Sequence, residues 1–326
     1  MVIIGEKING AIPVVAKAIA EKDAEFLKNR AVAQAEAGAP FIDVHASVPE
    51  DVEAETLGWM LELVQEVTEV PMCVDSPSAK ICAGALKDCK KEGLVNSVSM
   101  EGNKIDTIFP VIADTSWECV ALLCDDKGIP KSADDRLRVF GEIMAKAKEY
   151  GIAPSRLHID PLVEAIGTNP ESFTMFSDCC KEIKAQYPDI HITSGLSNIS
   201  FGLPSRKHMN MAFLAMAMAV GMDSAIMDPT NKDMIGIIRA EEALEAAGSY
   251  EACAAALEEA KGFEKKHLDM VYLAKCKAAG EDCGIDVSYD RDLVGVNYAT
   301  DALTEEDEYC IEYIGAYRDD EFGVQK

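Results

Sequence analysis

Eight short apolar runs recur along the chain, each ending in a polar side chain able to read a heterocycle. They cover residues 2–4 before Glu6, 41–44 around Asp43 and into His45, 70–74 before Asp75, and 94–95 before Asn96. The others are 118–123 before Asp125, 157–159 before Asp160, 191–196 before Asn198, and 223–227 before Asp228. Seven helix-like stretches separate these runs and another follows the last. Regular alternation of strand and helix calls for a parallel sheet, and eight such units for a closed (β/α)8 TIM barrel. In that fold the active site lies at the C-terminal ends of the strands, where these polar residues fall.

The 326 residues suffice for one barrel of about 250 residues plus an appendage. Domain 1–262 is the expected barrel and 263–326 an acidic C-terminal extension without further strand–helix repetition. A net charge of −26 argues against nucleic-acid binding, which needs Lys and Arg to neutralise phosphates. The most apolar stretch, 213–222, is too short to span a bilayer and falls where the seventh barrel helix belongs, so no membrane association is expected. The opening residues meet an acid at Glu6, unlike a signal peptide. Eleven cysteines are scattered, odd in number and mostly inside helix or strand patterns, which reads as reduced thiols in a cytoplasmic protein. No Cys-x-x-Cys or His-x-x-x-His pair occurs, and no metal site is expected.

The first helix is predicted over 14–37, ending at Gly38, and the second over 52–69 from the spacing of Leu57, Met60, Leu61 and Val64. Pro77 marks the start of the third. The fifth runs over 133–150. Asn169-Pro170-Glu171 reads as the opening of the sixth, with Asn169 as its cap. The eighth begins near Asn231 and ends before Gly248. In the extension, Thr304-Glu305-Glu306-Asp307-Glu308 has the acids of a helix start.

Asp75, Asn96 and Asp160 follow strands three, four and six, so a barrel lets them converge. Carboxylates and an amide suit a neutral aminopyrimidinone ring: its amine and ring N–H groups need acceptors, its carbonyl and ring nitrogen need donors. Each alternative is structural. Asp75 before Ser76-Pro77 and Asp228 before Pro229-Thr230 are both placed to cap the next helix. Asp43 and Asp160 lie at or inside apolar runs, where a merely solvated role fits less well. Glu6 and Asn9 flank a turn. His45 reads as a satisfied strand-end histidine, and Arg206-Lys207 as the exposed start of the seventh helix. In Ser194-Gly195-Leu196-Ser197-Asn198-Ile199-Ser200-Phe201-Gly202 the glycines admit close backbone approach, and Asn198 can donate or accept. The competing description is a polar turn.

Six motifs together carry a resemblance: Gly5-Glu6-Lys7-Ile8-Asn9-Gly10, Phe41-Ile42-Asp43-Val44, Val74-Asp75-Ser76, Val95-Asn96-Ser97, His158-Ile159-Asp160-Pro161-Leu162 and Gly195-Leu196-Ser197-Asn198. In this order, over residues 1–262, the chain resembles the pterin-binding methyltransferases, in particular the methyltetrahydrofolate:corrinoid protein methyltransferases. The resemblance implies a dihydropteroate synthase-like barrel in which Asp75, Asn96 and Asp160 bind the pterin and Asn198 lies near N5. Glu6, Asp43, Gly195, Ser197 and Asp228 are the further pterin-binding candidates. The stretch from Thr193 to Gly202 is most similar to enzymes of quaternary-amine demethylation, such as the glycine betaine system, where the methyl passes from a methylated corrinoid protein to tetrahydrofolate.

His45 departs from relatives that carry Asn, and the extension has no counterpart in shorter members. The Asp-x-His-x-x-Gly corrinoid signature is missing, since Asp43-Val44-His45 continues Ala46-Ser47-Val48. A separate corrinoid protein carrying cobalamin is therefore the expected partner, with tetrahydrofolate or its methyl derivative as substrate, and a homodimer is the expected assembly. The alternatives are dihydropteroate synthase, which needs a pyrophosphate site and a p-aminobenzoate pocket, and a folate-binding subunit that only presents pterin within a larger complex.

Overall fold

The eight apolar runs form eight parallel strands. A computed structural model describes residues 1–257 and 262–322 of the chain. In order the elements begin β1 (Val2–Asn9), α1 (Pro13–Ala20), α2 (Ala24–Glu36), β2 (Phe41–His45), α3 (Glu50–Val67), β3 (Met72–Asp75) and α4 (Ala79–Ala85). They continue β4 (Leu94–Met100), α5 (Lys104–Ile112), β5 (Glu118–Asp125), α6 (Ala133–Glu149), β6 (Leu157–Asp160) and α7 (Ser172–Gln186). Then follow β7 (His191–Ile192), α8 (Arg206–Ala219), β8 (Ser224–Met227) and α9 (Lys232–Ala247). Four more helices close the described chain: α10 (Tyr250–Ala255), α11 (Lys265–Ala279), α12 (Arg291–Leu303) and α13 (Ile311–Arg318).

The chain divides into two compact units. The first, Met1–Leu162 with Glu182–Ser194 and Asp223–Thr230, holds all eight strands. Their order is β7-β6-β5-β4-β3-β2-β1-β8. The Asp223 N–H donates to the Ile192 carbonyl (3.2 Å) and the Ile226 N–H to that of Ser194 (3.0 Å), so β8 also meets β7 and the sheet closes. Inside, Ile4, Cys73, Leu94 and Val120 pack with Phe41, Leu122 and Ile226, drawing apolar side chains from six strands into one core. At the N-terminal ends the buried His158 ring lies 2.8 Å from Ser224 Oγ and 2.7 Å from Glu118 Oε2. Burial holds its pKa below the ordinary histidine value, so the neutral ring donates to Glu118 and accepts from Ser224. Burial alone would raise Asp223, but hydrogen bonds from His191, Lys184 and the Ile192 N–H bring it down to about 2. These polar groups tie the strands at the end opposite the candidate site.

The second unit comprises Val163–Lys181, Gly195–Met222 and the chain from Asn231 onward. Here α11 and α12 pack on α8 and on each other, and α11 also on α9. Asp292 joins α12 to α8 through Lys207 and the buried His208 (Nε2 at 2.9 Å). The extension thus covers the faces of the last two barrel helices, which are apolar on nearly every side of α8.

Three local expectations are corrected. The single helix over 14–37 is two, because Lys22 takes a left-handed conformation (φ 55°) and the Asp23 side chain caps α2 by accepting from the Phe26 N–H (3.1 Å). Asn169 does not cap α7: its amide donates to Glu164 (2.9 Å), and the helix starts three residues later. Thr304–Glu308 starts a helix later than expected: it is the break after α12, where Glu305 is left-handed (φ 65°), and α13 begins only at Ile311, with Asp307 accepting from the N–H groups of Glu312 (2.9 Å) and Tyr313 (2.8 Å). The other helix starts agree with the sequence, and Asn231 caps α9 by accepting from the N–H groups of Asp233 and Met234.

Candidate active site

Strand register decides which polar side chains meet. Asp75 on β3 pairs with Asn96 on β4 and with His45 on β2. The Asn96 amide donates across to Asp43 Oδ1 at 3.1 Å. Asp43 is 1% exposed, and burial pushes its pKa up to about 6 against the opposing hydrogen bonds of Cys73 and Asn96. Asp75 is pushed well above the carboxylate range, first by burial and then by the charges of Asp43 and Glu53. His45 Nδ1 stands 3.6 Å from Asp75 Oδ2, too far for a hydrogen bond. Burial lowers the pKa of His45, Glu53 opposing, so it adds no cation to balance the acids. The result is a buried, acceptor-rich edge whose carboxyls are shifted towards their protonated forms.

Asp160, 5% exposed, ends β6 in register with Leu122. Its Oδ1 accepts from the Leu162 N–H (2.8 Å), and Leu162 is held left-handed (φ 68°). The wholly buried Arg136 on α6 donates to the Leu162 carbonyl (2.7 Å) and to that of Pro130 (3.3 Å), which fixes the turn carrying Asp160. Glu6 lies half-buried in β1 at a bulge, where Gly5 pairs with Ile42 but Ile8 with Val44. At the end of that strand Gly10 donates to the His45 carbonyl (2.8 Å), and a Cβ there would meet the Ala46 carbonyl oxygen at 2.0 Å, so only glycine permits the approach. Asp228 accepts from the N–H (2.9 Å) and hydroxyl (2.7 Å) of Thr230 and pairs with Lys7 (3.1 Å); it does not cap the next helix, which Asn231 caps. Asp125, at the end of β5, is likewise spent on Arg138 (2.8 Å).

Gly195, Ser197 and Asn198 belong to the second unit, in the turn before α8. Arg206, at the first turn of α8, donates to Ser200 Oγ (2.9 Å) and to the Ser197 carbonyl (2.5 Å), clamping this turn. Asn198 is exposed, its backbone engaged with Gly195 and Phe201, and its side-chain amide makes no hydrogen bond among the described residues. A Cβ on Gly195 would stand 3.0 Å from Asn198 Nδ2. Gly195→Ala is therefore expected to displace the Asn198 amide by a few tenths of an ångström while leaving the melting temperature near wild type. Measuring both turnover and unfolding checks this: a lowered rate at unchanged stability is the expected result.

Glu53 and Arg136 were not singled out from the sequence, and Arg206 only as the exposed start of a helix. An acid in the first turn of α3 and an arginine at each of two helix starts look like solvated faces. Only the burial of Glu53 (3% exposed) and Arg136, and the loop contacts of Arg206, distinguish them. Among the described residues no group of three or more His, Cys, Asp or Glu side chains is arranged to hold a metal ion, and no helix is long and apolar enough to cross a membrane.

The pterin-binding enzyme family matches residues 14–228. The chain belongs to the pterin-binding enzymes. Within that family it is 53% identical over 246 residues to a methylcorrinoid:tetrahydrofolate methyltransferase of Eubacterium limosum, covering 75% of this chain and 91% of that one. A methionine synthase of Mycobacterium tuberculosis is 27% identical over 169 residues, 48% of this chain but 14% of that protein. Among solved structures, a dihydropteroate synthetase with a bound product aligns with TM-score 0.55 at 16% identity, over 74% of this chain and 94% of the other. Dihydropteroate synthase from Xanthomonas albilineans with 7,8-dihydropteroate aligns at 0.52 and 18% identity, over 74% and 92%. At such identities the pterin-binding barrel is shared as a fold and no more.

Proposed function

We propose that this pterin-binding enzyme is a methyltransferase moving a methyl group between a corrinoid protein and N5 of tetrahydrofolate, in the direction of tetrahydrofolate. The observation that carries the reading is the 53% identity to the Eubacterium limosum enzyme over 91% of that enzyme's length. Asp75, Asn96 and Asp160 hold the aminopyrimidinone edge, each charge-assisted hydrogen bond contributing about 1.5–3 kcal/mol. Asp43 orients the Asn96 amide rather than facing the ring itself, in keeping with their 3.1 Å hydrogen bond. Asn198 supplies a hydrogen bond at N5. That contact matters because N5 changes from a neutral amine to a methylated centre that loses a proton, and a group able to donate or accept follows it throughout.

The corrinoid, carried by a separate partner protein, supplies a methyl group bonded to cobalt and leaves with the bonding electron pair. The chain's task is positional: it fixes one reactant and tunes one nitrogen. The reading also takes in a homodimer in the cytoplasm, the eleven free thiols supporting that compartment. A quaternary amine as the original methyl source rests on the resemblance of the Thr193–Gly202 stretch. Mixing the protein with methylcobalamin and tetrahydrofolate tests the proposal: methyltetrahydrofolate and cobalt(I) should appear together in equal amounts.

A further inference from the structure

Glu53 is a further acid close to Asp75, and neither the family resemblance nor the proposed reaction assigns it a role. It projects from the first turn of α3, is 3% exposed, and its Oε1 accepts the Ser76 hydroxyl at 2.6 Å. Ser76 in turn links two strands. Its backbone N–H donates to the Asn96 carbonyl (3.2 Å), and its hydroxyl oxygen accepts from the Ser78 N–H (3.1 Å), which shapes the chain entering α4. One buried carboxylate therefore anchors the residue that follows Asp75 and touches Asn96.

A buried carboxylate is a costly way to hold a serine, since a neutral acceptor would serve without the desolvation penalty. What the charge adds is its field on Asp75. The titratable groups facing Asp75 are Asp43 and His45 from β2, Cys73 from β3 itself, Glu53 from α3 and Cys82 from α4. Burial keeps both thiols protonated and His45 neutral, so none of these three offsets the acids.

We propose that Glu53 is a positioning residue of the pterin pocket, one that sets Asp75 through Ser76 and makes the pocket release a proton when pterin binds. The inference rests on the reading of this pocket as a pterin site. The sign follows from the chemistry of the edge. Burial and the neighbouring acids favour the protonated form of Asp75; pterin brings N–H donors that favour the carboxylate; the proton leaves to solvent. Binding then weakens as pH falls, by at most roughly tenfold per pH unit for one proton.

The test is calorimetric titration with tetrahydrofolate between pH 6 and 8, in paired buffers of different ionisation enthalpy, which counts the protons released. Wild type is expected to release a proton and to bind more weakly towards pH 6. Glu53→Gln is isosteric and keeps an oxygen towards Ser76, but removes the charge; it should release less of a proton and show a flatter pH profile. Glu53→Asp keeps the charge with a shorter reach, and should restore proton release while binding more weakly at every pH. Ser76→Ala should likewise weaken binding with proton release intact. Wild-type proton release in Glu53→Gln overturns the role of Glu53 and leaves the pterin reading standing. Absence of tetrahydrofolate binding by wild type itself overturns that reading, and this inference with it.

Discussion

Asn198→Ala is expected to lower the rate of methyl transfer by about a hundredfold or more, the usual contribution of a positioned hydrogen-bonding or proton-transfer group. Ground-state affinity for tetrahydrofolate should change far less, because only interactions that strengthen in the transition state accelerate chemistry. The structure makes the variant a clean probe. The side chain is exposed and its amide is unbonded among the described residues, so its removal strands no buried partner. The turn is held independently, by Arg206 on the Ser197 carbonyl and on Ser200. Single-turnover rates at saturating folate, with dissociation constants measured separately, give the two quantities. Equal losses in rate and affinity assign Asn198 to binding, and a wild-type rate removes it from the reaction.

Asp160→Ala is expected to weaken tetrahydrofolate binding roughly tenfold to a hundredfold, through loss of a charge-assisted hydrogen bond. It also costs stability, since Oδ1 accepts the Leu162 N–H that shapes the turn. Asp160→Asn separates the two effects. Its amide oxygen can keep the bond to Leu162, while its nitrogen turns an acceptor into a donor facing the N–H edge of the ring. Affinity should fall about as far as in the alanine variant, with the melting temperature near wild type. If binding is unaltered in the asparagine variant, Asp160 serves the turn and not the ligand.

The barrel was legible because every strand is a short apolar run between loops, and a parallel sheet covered on both faces leaves little other sequence pattern. The candidate carboxylates were legible for a related reason: Asp43, Asp75 and Asp160 interrupt or end those runs, where a charge without a task is costly. What escaped is what depends on side-chain reach. No glycine or proline marks the break at Lys22, and the cap at Asp23 sits within a run of good helix formers. Asn169-Pro170-Glu171 has the composition of a helix start, but Glu164, five residues earlier, takes the Asn169 amide. The extension was read as one acidic tail, although α11 carries Leu268, Val271 and Ala274 at helical spacing and ends at the left-handed Gly280, a visible signal. Glu53 is the instructive case. In sequence it is one of three acids in a helix's first turn, and the dipole accounts for all of them. Only the fold separates it from Glu50 and Asp51, by turning its face of α3 inward against Ser76.

Methyl transfer itself is the most direct test of the proposed reaction. A corrinoid protein carrying a 13C-methyl group on cobalt is mixed with this chain and tetrahydrofolate, and the label is followed by NMR while cobalt(I) is followed by its absorbance. The expected result is label on N5 of tetrahydrofolate, one cobalt(I) per methyl moved, at a rate proportional to the amount of this chain. Intact tetrahydrofolate binding with no movement of the label would contradict it, and would make the chain a folate-presenting subunit instead of a methyltransferase.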